Sequence, residues 1–394
     1  MGAPTLVPCP AAERPGRRPM YARLAMDNYA RGLAARLEAR LVDYVGAPER
    51  VGPLSLMPIG SRARATTRLD RFAVLGAADR PVIVAKTYLV PGPPEPARPR
   101  LLPMVAAEDR ATLEHRALAA IADAATAELP AGLAAVRPLD VIDGRTVVMT
   151  ELDWPSLDRV LLRQRLSTGP RSRGSGDPVT DAFRAAGVWL RWFRRLPIPT
   201  EGARFLARDE QIEAISAFGA WLADRTGSPS AAQVQRVRAA AAEQLPAELE
   251  PGPGHGDFAM RNVLVGPAGR VAVIDTRARW SVPIELDLAT LLVALATNRL
   301  QAATGGMAWS RAVSSRYGRA MLEGAAYPVD ALPRLRLFQL LVVWDAWAAQ
   351  RARTEAARAG WRARLIGSVR ERRFRALGDE LVRAIGGTEG RLRG

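Results

Sequence analysis

The feature that most constrains this fold is a pair of short β-branched runs at 263–265 and 271–274, with Gly-Pro-Ala-Gly between them. Two extended runs separated by such a segment predict a β-hairpin. Asp257 and Asn262 precede the hairpin, and Asp275 follows it directly. Folding the hairpin therefore brings two carboxylates and one amide to the same end of a small sheet.

Two acids and an amide at one place are the groups that phosphoryl transfer needs. One carboxylate positions the acceptor hydroxyl and takes its proton, while an amide oxygen and a second carboxylate hold Mg²⁺ against nucleotide phosphates. Protein kinases carry the base and the metal-binding Asn in an Asp-x-x-x-x-Asn run, and Asp257 and Asn262 have this spacing. The spacing alone is common, and a polar turn before an ordinary hairpin is its plain alternative. The interpretation therefore depends on the whole block around it.

The block consists of His-Gly-Asp-x-x-x-x-Asn at 255–262, Ile-Asp at 274–275 and Asp-Leu-Ala at 287–289. It resembles the aminoglycoside phosphotransferase and choline kinase family, which are small-molecule kinases. The resemblance implies an α+β, two-lobed protein-kinase-like fold. The N-lobe would be a small antiparallel β-sheet with one helix, and the C-lobe would be large and mainly helical, with ATP between them. The match is specific from 254 to 289 and weaker from about 50 to 160.

The resemblance also implies a role for each polar residue of the block. Asp257 would be the catalytic base, and Asn262 and Asp275 would be the Mg²⁺ ligands. Asp287 would be a structural acid that braces the catalytic loop. His255 is expected to brace the same loop rather than exchange protons.

Lys86 is the only lysine in a chain whose other basic side chains are almost all arginine. A site that needs a compact ammonium does not accept a broad guanidinium, so composition alone indicates a function for Lys86. It ends a Val-Ile-Val-Ala-Lys strand that resembles the kinase strand whose lysine contacts the α- and β-phosphates. A kinase also needs an acid on the next helix, predicted here over 108–125. Glu114 best suits the apolar phase of that helix, and Glu108 is the runner-up.

Two further segments are candidates for nucleotide contacts. Ser61 lies in a predicted turn between strands at 54–59 and 66–75, where its hydroxyl and the backbone N–H groups could approach phosphate. A simple hairpin turn is the alternative. Thr150 and Leu152 lie in the predicted hinge between the lobes, where backbone groups could bind adenine.

The sequence predicts three regions. Residues 1–49 are an N-terminal extension with an amphipathic helix over 21–45. Residues 50–150 form the nucleotide-binding N-lobe, and residues 151–394 form the C-lobe with the catalytic loop, metal site and substrate-binding helices. Helices over 208–245 are expected to form part of the acceptor pocket.

The net charge of +16 at pH 7 comes almost entirely from arginine. Such a charge is typical of proteins that bind nucleic acid or an anionic membrane. The chain is also rich in Ala, Arg, Gly and Pro, as GC-rich coding produces, and no nucleic-acid-binding module is evident. We therefore favour genome composition as the origin of the charge.

The location is expected to be cytoplasmic. Cys9 is the only cysteine, which excludes intramolecular disulfides and disfavours a thiolate zinc site. No apolar run reaches the length of a membrane span, and the N-terminus has no apolar core typical of a secretory signal. The oligomeric state is left open.

The sequence thus predicts a kinase that uses ATP and Mg²⁺ to phosphorylate a hydroxyl of an aminoglycoside-like molecule, a sugar or an amino alcohol. Residues 201–250 contain acids that suit a cationic substrate, but arginines interleave them. A lipid-linked or polysaccharide-precursor sugar is an alternative substrate, reached through a basic helix over 351–375 that could lie on a membrane. A protein of another class, a non-catalytic nucleotide-binding scaffold, is a second alternative. The intact set of Lys86, Asp257, Asn262 and Asp275 argues against it.

Overall fold

A computed structural model of the chain describes residues 28–45, 50–63, 66–77, 79, 81–89, 97–166, 177–297, 307–356 and 361–386. The chain divides into two compact units, one made of 1–62 and 70–82 and the other of 63–69 and 83–394. The predicted region boundaries at 49 and 150 stay a prediction.

The first unit contains two helices and most of two strands. Helices α1 (Asn28–Glu38) and α2 (Leu41–Val45) replace the single predicted helix over 21–45, and a turn at 39–40 separates them. Residues 21–27 of that prediction lie outside the described residues. The strands are β1 (Arg50–Ala63) and β2 (Thr67–Ala77).

Ser61 is not in a turn, as the sequence predicted, but inside β1. The strand continues past Gly60 because a single glycine without proline or asparagine beside it does not force a reversal. Ser61 belongs to the first unit and is exposed. Its predicted contact with phosphate therefore stays a prediction.

The sheet has the strand order β1-β2-β3-β5-β4, with β3 at Val82–Tyr88, β4 at Pro138–Ile142 and β5 at Thr146–Thr150. Strands β3 and β5 are antiparallel, and their register places Lys86 opposite Val147. Strands β4 and β5 are joined at Asp143-Gly144, where both residues have positive φ. This turn makes the two strands a β-hairpin.

The rest of the second unit is mainly helical. Its helices are α3 (Ala107–Ala127), α4 (Leu157–Leu166), α5 (Pro178–Phe193), α6 (Arg208–Thr226), α7 (Ala231–Gln244), α8 (Ile284–Ala296), α9 (Met307–Gly324), α10 (Leu332–Ala356) and α11 (Trp361–Gly386). Helix α5 begins at Pro178. The carboxylate of Asp177 accepts the N–H of Val179, and Pro178 takes a position where no N–H is needed. The start of α7 is fixed by a capping box between Ser230 and Gln233.

The predicted hairpin is confirmed as β6 (Val263–Val265) and β7 (Val271–Val273). Its antiparallel register pairs Val263 with Val273. The valines of both strands are buried in the large hydrophobic core, together with the aromatic rings of α5 and α10. This burial fixes the side of the hairpin from which the flanking polar residues emerge.

The basic helix predicted over 351–375 corresponds to the end of α10 and the first part of α11 rather than to one helix. Helix α11 packs on the protein along the part whose side chains are described. Phe374 and Leu377 lie against the hydrophobic core, and Leu381, Val382 and Ile385 are buried in it. Residues 357–360 and the side chains of 361–366 lie outside the described part of the chain. Within the described residues, we find no helix with the length and apolar character needed to span a bilayer.

Candidate active site

The ammonium group of Lys86 is held between two carboxylates from distant parts of the chain. Its Nζ lies 2.9 and 2.8 Å from the two carboxylate oxygens of Glu114 on α3 and 2.5 Å from Oδ1 of Asp275. Glu114 is almost fully buried, and its other neighbour is the hydroxyl of Tyr88, which donates to Oε2 at 2.6 Å. Helix α3 thus presents Glu114 to the lysine. The side chain of Glu108, the second candidate, lies outside the described residues.

The carboxylates fix the protonation state of this cluster. Burial alone would lower the pKa of Lys86, but Glu114 and Asp275 outweigh it and hold the pKa well above its ordinary value. Burial would raise the pKa of Asp275, but Lys86 outweighs it and lowers the pKa to about 2. Lys86 is therefore a cation and Asp275 an anion throughout the neutral range.

Asp275 has a backbone conformation that most residues avoid. Its φ is 66°, in the left-handed region, which Asp and Asn tolerate better than most side chains. The residue follows β7 after Ile274, whose N–H donates to the carbonyl of Asn262. The end of the hairpin therefore brings Asn262 and Asp275 side by side, as the sequence predicts.

Asp287 holds the loop before the hairpin through its backbone. Its carboxylate oxygens accept the N–H of His255 at 2.8 Å and that of Gly256 at 3.3 Å. Gly256 has φ of 78°, so a side chain there would strain the turn. The contact with His255 is buried and the contact with Gly256 is partly buried, and together they fix the path of the chain into Asp257.

Both ring nitrogens of His255 are hydrogen-bonded to backbone groups, one in this loop and one at the end of β7. Nδ1 accepts the N–H of Asp257 at 3.2 Å, so the imidazole is neutral and Nε2 carries the hydrogen that it donates to Ile274 O at 3.1 Å. The ring is fully buried beside Trp189 and Phe258. Burial lowers the pKa of His255 to about 4. A neutral, fully bonded imidazole has no free nitrogen for proton exchange.

The carboxylate of Asp257 lies at the surface of this loop, where Arg261 contacts it. Nη2 of Arg261 lies 2.6 Å from both carboxylate oxygens. The Asp257 side chain is 21% exposed, enough for an acceptor molecule to approach it. The Nδ2 amide group of Asn262 donates a hydrogen bond to the Asp257 carbonyl at 2.8 Å. The amide oxygen of Asn262 takes no part in this bond.

Asn262 and Asp275 fit a magnesium ion as a donor set. An amide oxygen and an ionised carboxylate are hard oxygen ligands, and Mg²⁺ in phosphoryl-transfer sites takes few protein ligands beside phosphates and water. Asp275 is ionised, and the hydrogen bond of Asn262 Nδ2 turns its oxygen away from the Asp257 carbonyl. No group of three or more His, Cys, Asp or Glu suited to a metal occurs in the described part of the chain. A site that completes its shell with nucleotide phosphates needs no such group.

Of the two predicted hinge residues, Thr150 ends β5 and Leu152 follows it without regular structure. The N–H of Thr150 donates to the carbonyl of Arg137, so this donor serves the sheet. The carbonyl of Leu152 accepts the N–H of Trp154, while the N–H of Leu152 donates to no described residue. Of the two predicted hinge positions, Leu152 therefore has the donor that could serve adenine.

A cavity of about 350 Å³ opens beside Asp257, within the second unit. Its wall comes from the segment before and at the start of α3, the loop after Asp275, helix α8 and helix α10. Residues 208–245, which we expected to line an acceptor pocket, contribute nothing to this cavity. Helices α6 and α7 instead bury their apolar positions in the core.

The sequence did not single out three residues that the structure places at the site. Arg261 contacts Asp257, Tyr88 contacts Glu114, and Arg277 lies on the cavity wall. Arg261 could have been found from its position four residues after Asp257. Tyr88 and Arg277 could not, because their contacts depend on which elements pack together.

A known protein family and many solved structures are similar to this chain. The family model described as "Phosphotransferase enzyme family" matches residues 97–338, more than half of the chain. A search of curated proteins gives no match.

Many solved structures are similar in fold. A putative aminoglycoside phosphotransferase from Ralstonia eutropha has 13% identity and a TM-score of 0.55, covering 89% of this chain and 98% of that one. An ethanolamine kinase from Plasmodium vivax has 10% identity and a TM-score of 0.50, covering 93% and 92%. A choline kinase from Streptococcus pneumoniae has 11% identity and a TM-score of 0.50, covering 90% and 100%. At these identities the likeness establishes the kinase-like fold alone.

Proposed function

Since the chain belongs to the phosphotransferase enzyme family, we propose that it transfers the γ-phosphoryl group of ATP to a hydroxyl of a small molecule. The observation that carries the proposal is the contact of one lysine with Glu114 and Asp275 beside a loop that presents Asp257. A buried cation of this kind is what the nucleotide phosphates need, and a carboxylate facing a cavity is what the acceptor needs.

In this proposal Lys86 holds the α- and β-phosphates and Glu114 orients it. Asn262 and Asp275 hold Mg²⁺, which would neutralise charge on the phosphates when bound. Asp257 positions the acceptor and takes its hydroxyl proton as the acceptor oxygen bonds to the γ-phosphorus. The bond between that phosphorus and the β,γ-bridging oxygen breaks, and ADP leaves. Alignment and charge neutralisation supply most of the catalysis.

His255 and Asp287 are proposed to act through the loop alone. Both ring nitrogens of His255 and both carboxylate oxygens of Asp287 bond to loop residues. They would therefore set the position of Asp257 without contacting substrate. A cytoplasmic location, where ATP is present, belongs to the same proposal.

The alternatives have weaker support. Phosphorylation of protein would need an activation segment, but Asp275 is followed by Thr-Arg rather than Phe-Gly, and no Ala-Pro-Glu segment follows. Action on a lipid-linked sugar would use the basic helix α11 on a membrane, but the described apolar residues of α11 pack on the core. A non-catalytic scaffold would not need Lys86, Asp257, Asn262 and Asp275 together.

The test combines nucleotide binding with turnover. The melting temperature of the purified chain is measured with ATP alone and with ATP plus Mg²⁺, and ADP release is then followed across a panel of sugars, amino alcohols and aminoglycosides. Stabilisation that requires Mg²⁺, followed by ADP release that depends on one acceptor class, supports the proposal. Absence of nucleotide stabilisation at millimolar ATP would contradict it.

A further inference from the structure

The cavity beside Asp257 has a wall rich in arginine. Five arginines and three aspartates are among its lining residues. The aspartates are Asp257, Asp287 and Asp345. The wall therefore has more positive than negative side chains, whereas a polycationic acceptor requires the reverse. Which acceptor fits depends on whether each charged side chain already has a partner in the protein.

None of the three aspartates is available to bind an ammonium group of an acceptor. Asp287 accepts two backbone N–H groups and is almost fully buried. Asp345 accepts Nη1 of Arg98 at 2.8 Å. Asp257 is the proposed base, and its two oxygens are in contact with Arg261.

Two of the arginines are also paired. Arg98 is the partner of Asp345, and Arg100, the fifth arginine, also interacts electrostatically with that carboxylate. Nε of Arg279 lies 2.5 Å from Glu201, and its Nη1 lies 4.0 Å from Asp109. These two guanidinium groups therefore stabilise the wall and add no net charge to the cavity.

Arg110 and Arg277 have no carboxylate partner among the described residues. Arg110 is 9% exposed, and its Nε donates to the carbonyl of Val105 at 2.9 Å. Nε of Arg277 is buried and bonds to no described residue. Both residues line the same cavity, and burial, followed by the charge of Arg277, lowers the pKa of Arg110. A pair of partly buried guanidinium groups without acids is what an anionic ligand would stabilise.

We propose that the acceptor carries an anionic group, a carboxylate or a phosphate, which Arg110 and Arg277 bind while its hydroxyl faces Asp257. The inference rests on the proposed function and names the substrate class of the same site. Arg110 lies in the first turn of α3, where the helix dipole also favours an anion. Aminoglycosides and amino alcohols would meet two cations in this cavity that have no carboxylate contact among the described residues.

The competing use for these arginines is the γ-phosphate of ATP. The charge of Asp275 acts to raise the pKa of Arg110, and the charge of Arg277 acts to lower the pKa of Asp275. The cavity that they line, however, includes Asp257 and does not include Lys86, Asn262 or Asp275. The cavity that they share with Asp257 therefore favours the acceptor as their ligand.

The first test measures binding with the nucleotide phosphate positions filled. The full chain is saturated with a non-hydrolysable ATP analogue and Mg²⁺, and its melting temperature is followed during titration with D-gluconate, glucose 6-phosphate, glucose or glucosamine. Stabilisation by at least one of the two anions, and by neither glucose nor glucosamine, is expected. It should be lost in Arg277→Gln and in Arg110→Gln, and kept in Arg191→Gln, which removes an exposed arginine outside this cavity. Equal responses to all four compounds, or no anion response, would overturn the proposal.

The second test measures turnover with the same four hexose derivatives at fixed Mg-ATP. The anionic compounds should have the higher kcat/KM, and Arg277→Gln should reduce that value about tenfold or more while changing the KM for ATP little. Arg277→Lys, which keeps the charge, should recover part of the loss. A variant that raises the KM for ATP instead assigns the arginines to nucleotide and contradicts the proposal.

Failure of the inference is distinguishable from failure of the proposed function. A preference for glucose or glucosamine, with ADP released, would leave the phosphotransferase in place and overturn only the anionic acceptor. Absence of Mg-ATP binding would remove the proposed function itself.

Discussion

Nη2 of Arg261 lies 2.6 Å from both carboxylate oxygens of Asp257, four residues earlier in the chain. The contact restricts the rotamers of the proposed base, whose backbone N–H and carbonyl are hydrogen-bonded to the side chains of His255 and Asn262. Because the Arg261 side chain is 52% exposed, the pair contributes little to folding.

Arg261→Gln should therefore lower turnover without lowering stability. We expect kcat to fall a few-fold to about tenfold, since a mobile base spends less time aligned with the acceptor. The melting temperature should stay that of the wild type. Arg261→Lys, which keeps one charged donor, should be intermediate. A melting temperature that falls in parallel with kcat would instead assign Arg261 to the fold.

Lys86→Arg should keep the charge and impair phosphoryl transfer. Nζ of Lys86 lies between two carboxylates in a buried position, and a planar guanidinium cannot occupy the same point. A displacement of the phosphates by about 1 Å can cost about 10²-fold in rate. Steady-state kcat/KM is compared with that of Arg159→Lys, the reverse exchange at an exposed position. If Lys86→Arg keeps more than about a third of the wild-type value, Lys86 does not hold the phosphates.

Asp275→Asn should remove the effect of Mg²⁺ on nucleotide binding. Asparagine tolerates the positive φ of this position, so the backbone is expected to persist, but the anionic ligand is lost. The affinity for ATP is measured with Mg²⁺ and with EDTA in the variant, the wild type and Asp330→Asn, an exposed control. Wild type and control should bind more tightly with Mg²⁺, and Asp275→Asn should not. An unchanged Mg²⁺ effect in Asp275→Asn would exclude Asp275 as a ligand.

The hairpin and its polar flanks were predictable because they depend on local sequence. β-branched runs with a Gly-Pro turn form β6 and β7, and Asn262 and Asp275 then meet by geometry. Glu114 was predictable from helical phase, since Ala111, Ala117 and Leu118 bury the same face of α3.

The contacts across the chain were not predictable from spacing. Lys86 and Asp275 are 189 residues apart, and only the family resemblance joins them. The wall of the cavity depends on how α3, α8 and α10 pack, which spacing does not reveal. The acceptor pocket expected at 208–245 stays a prediction. The break between α1 and α2 was missed because no proline or strong turn residue marks it. The continuation of β1 through Ser61 was missed because Gly60 favours a turn in the sequence.

Stability should fall on acidification through the titration of His255. Its folded-state pKa of about 4 is below the ordinary value of 6.5, so between these pH values the unfolded chain binds the additional proton. The stabilisation is complete above pH 6.5 and is lost as the pH falls toward 4. From pH 7 to pH 4.5 this amounts to about 2 kcal/mol of unfolding free energy.

Urea unfolding at several pH values measures this dependence. His255→Gln should be less stable than the wild type at pH 7, and its unfolding free energy should depend less on pH in this window. His115→Gln, the corresponding change at the other histidine of the chain, should keep the wild-type slope. Equal slopes for wild type and His255→Gln would show that another group controls the acid transition.

The measurement that tests the central claim most directly is a comparison of the wild type with Asp257→Asn, using the acceptor that the panel identifies. The asparagine keeps the shape of the side chain but cannot take the hydroxyl proton. We predict that kcat falls by about 10²-fold or more, while the dissociation constant for Mg-ATP and the melting temperature stay close to those of the wild type. A variant that retains near-wild-type kcat would contradict the assignment of Asp257 as the base and, with it, the mechanism proposed for this site.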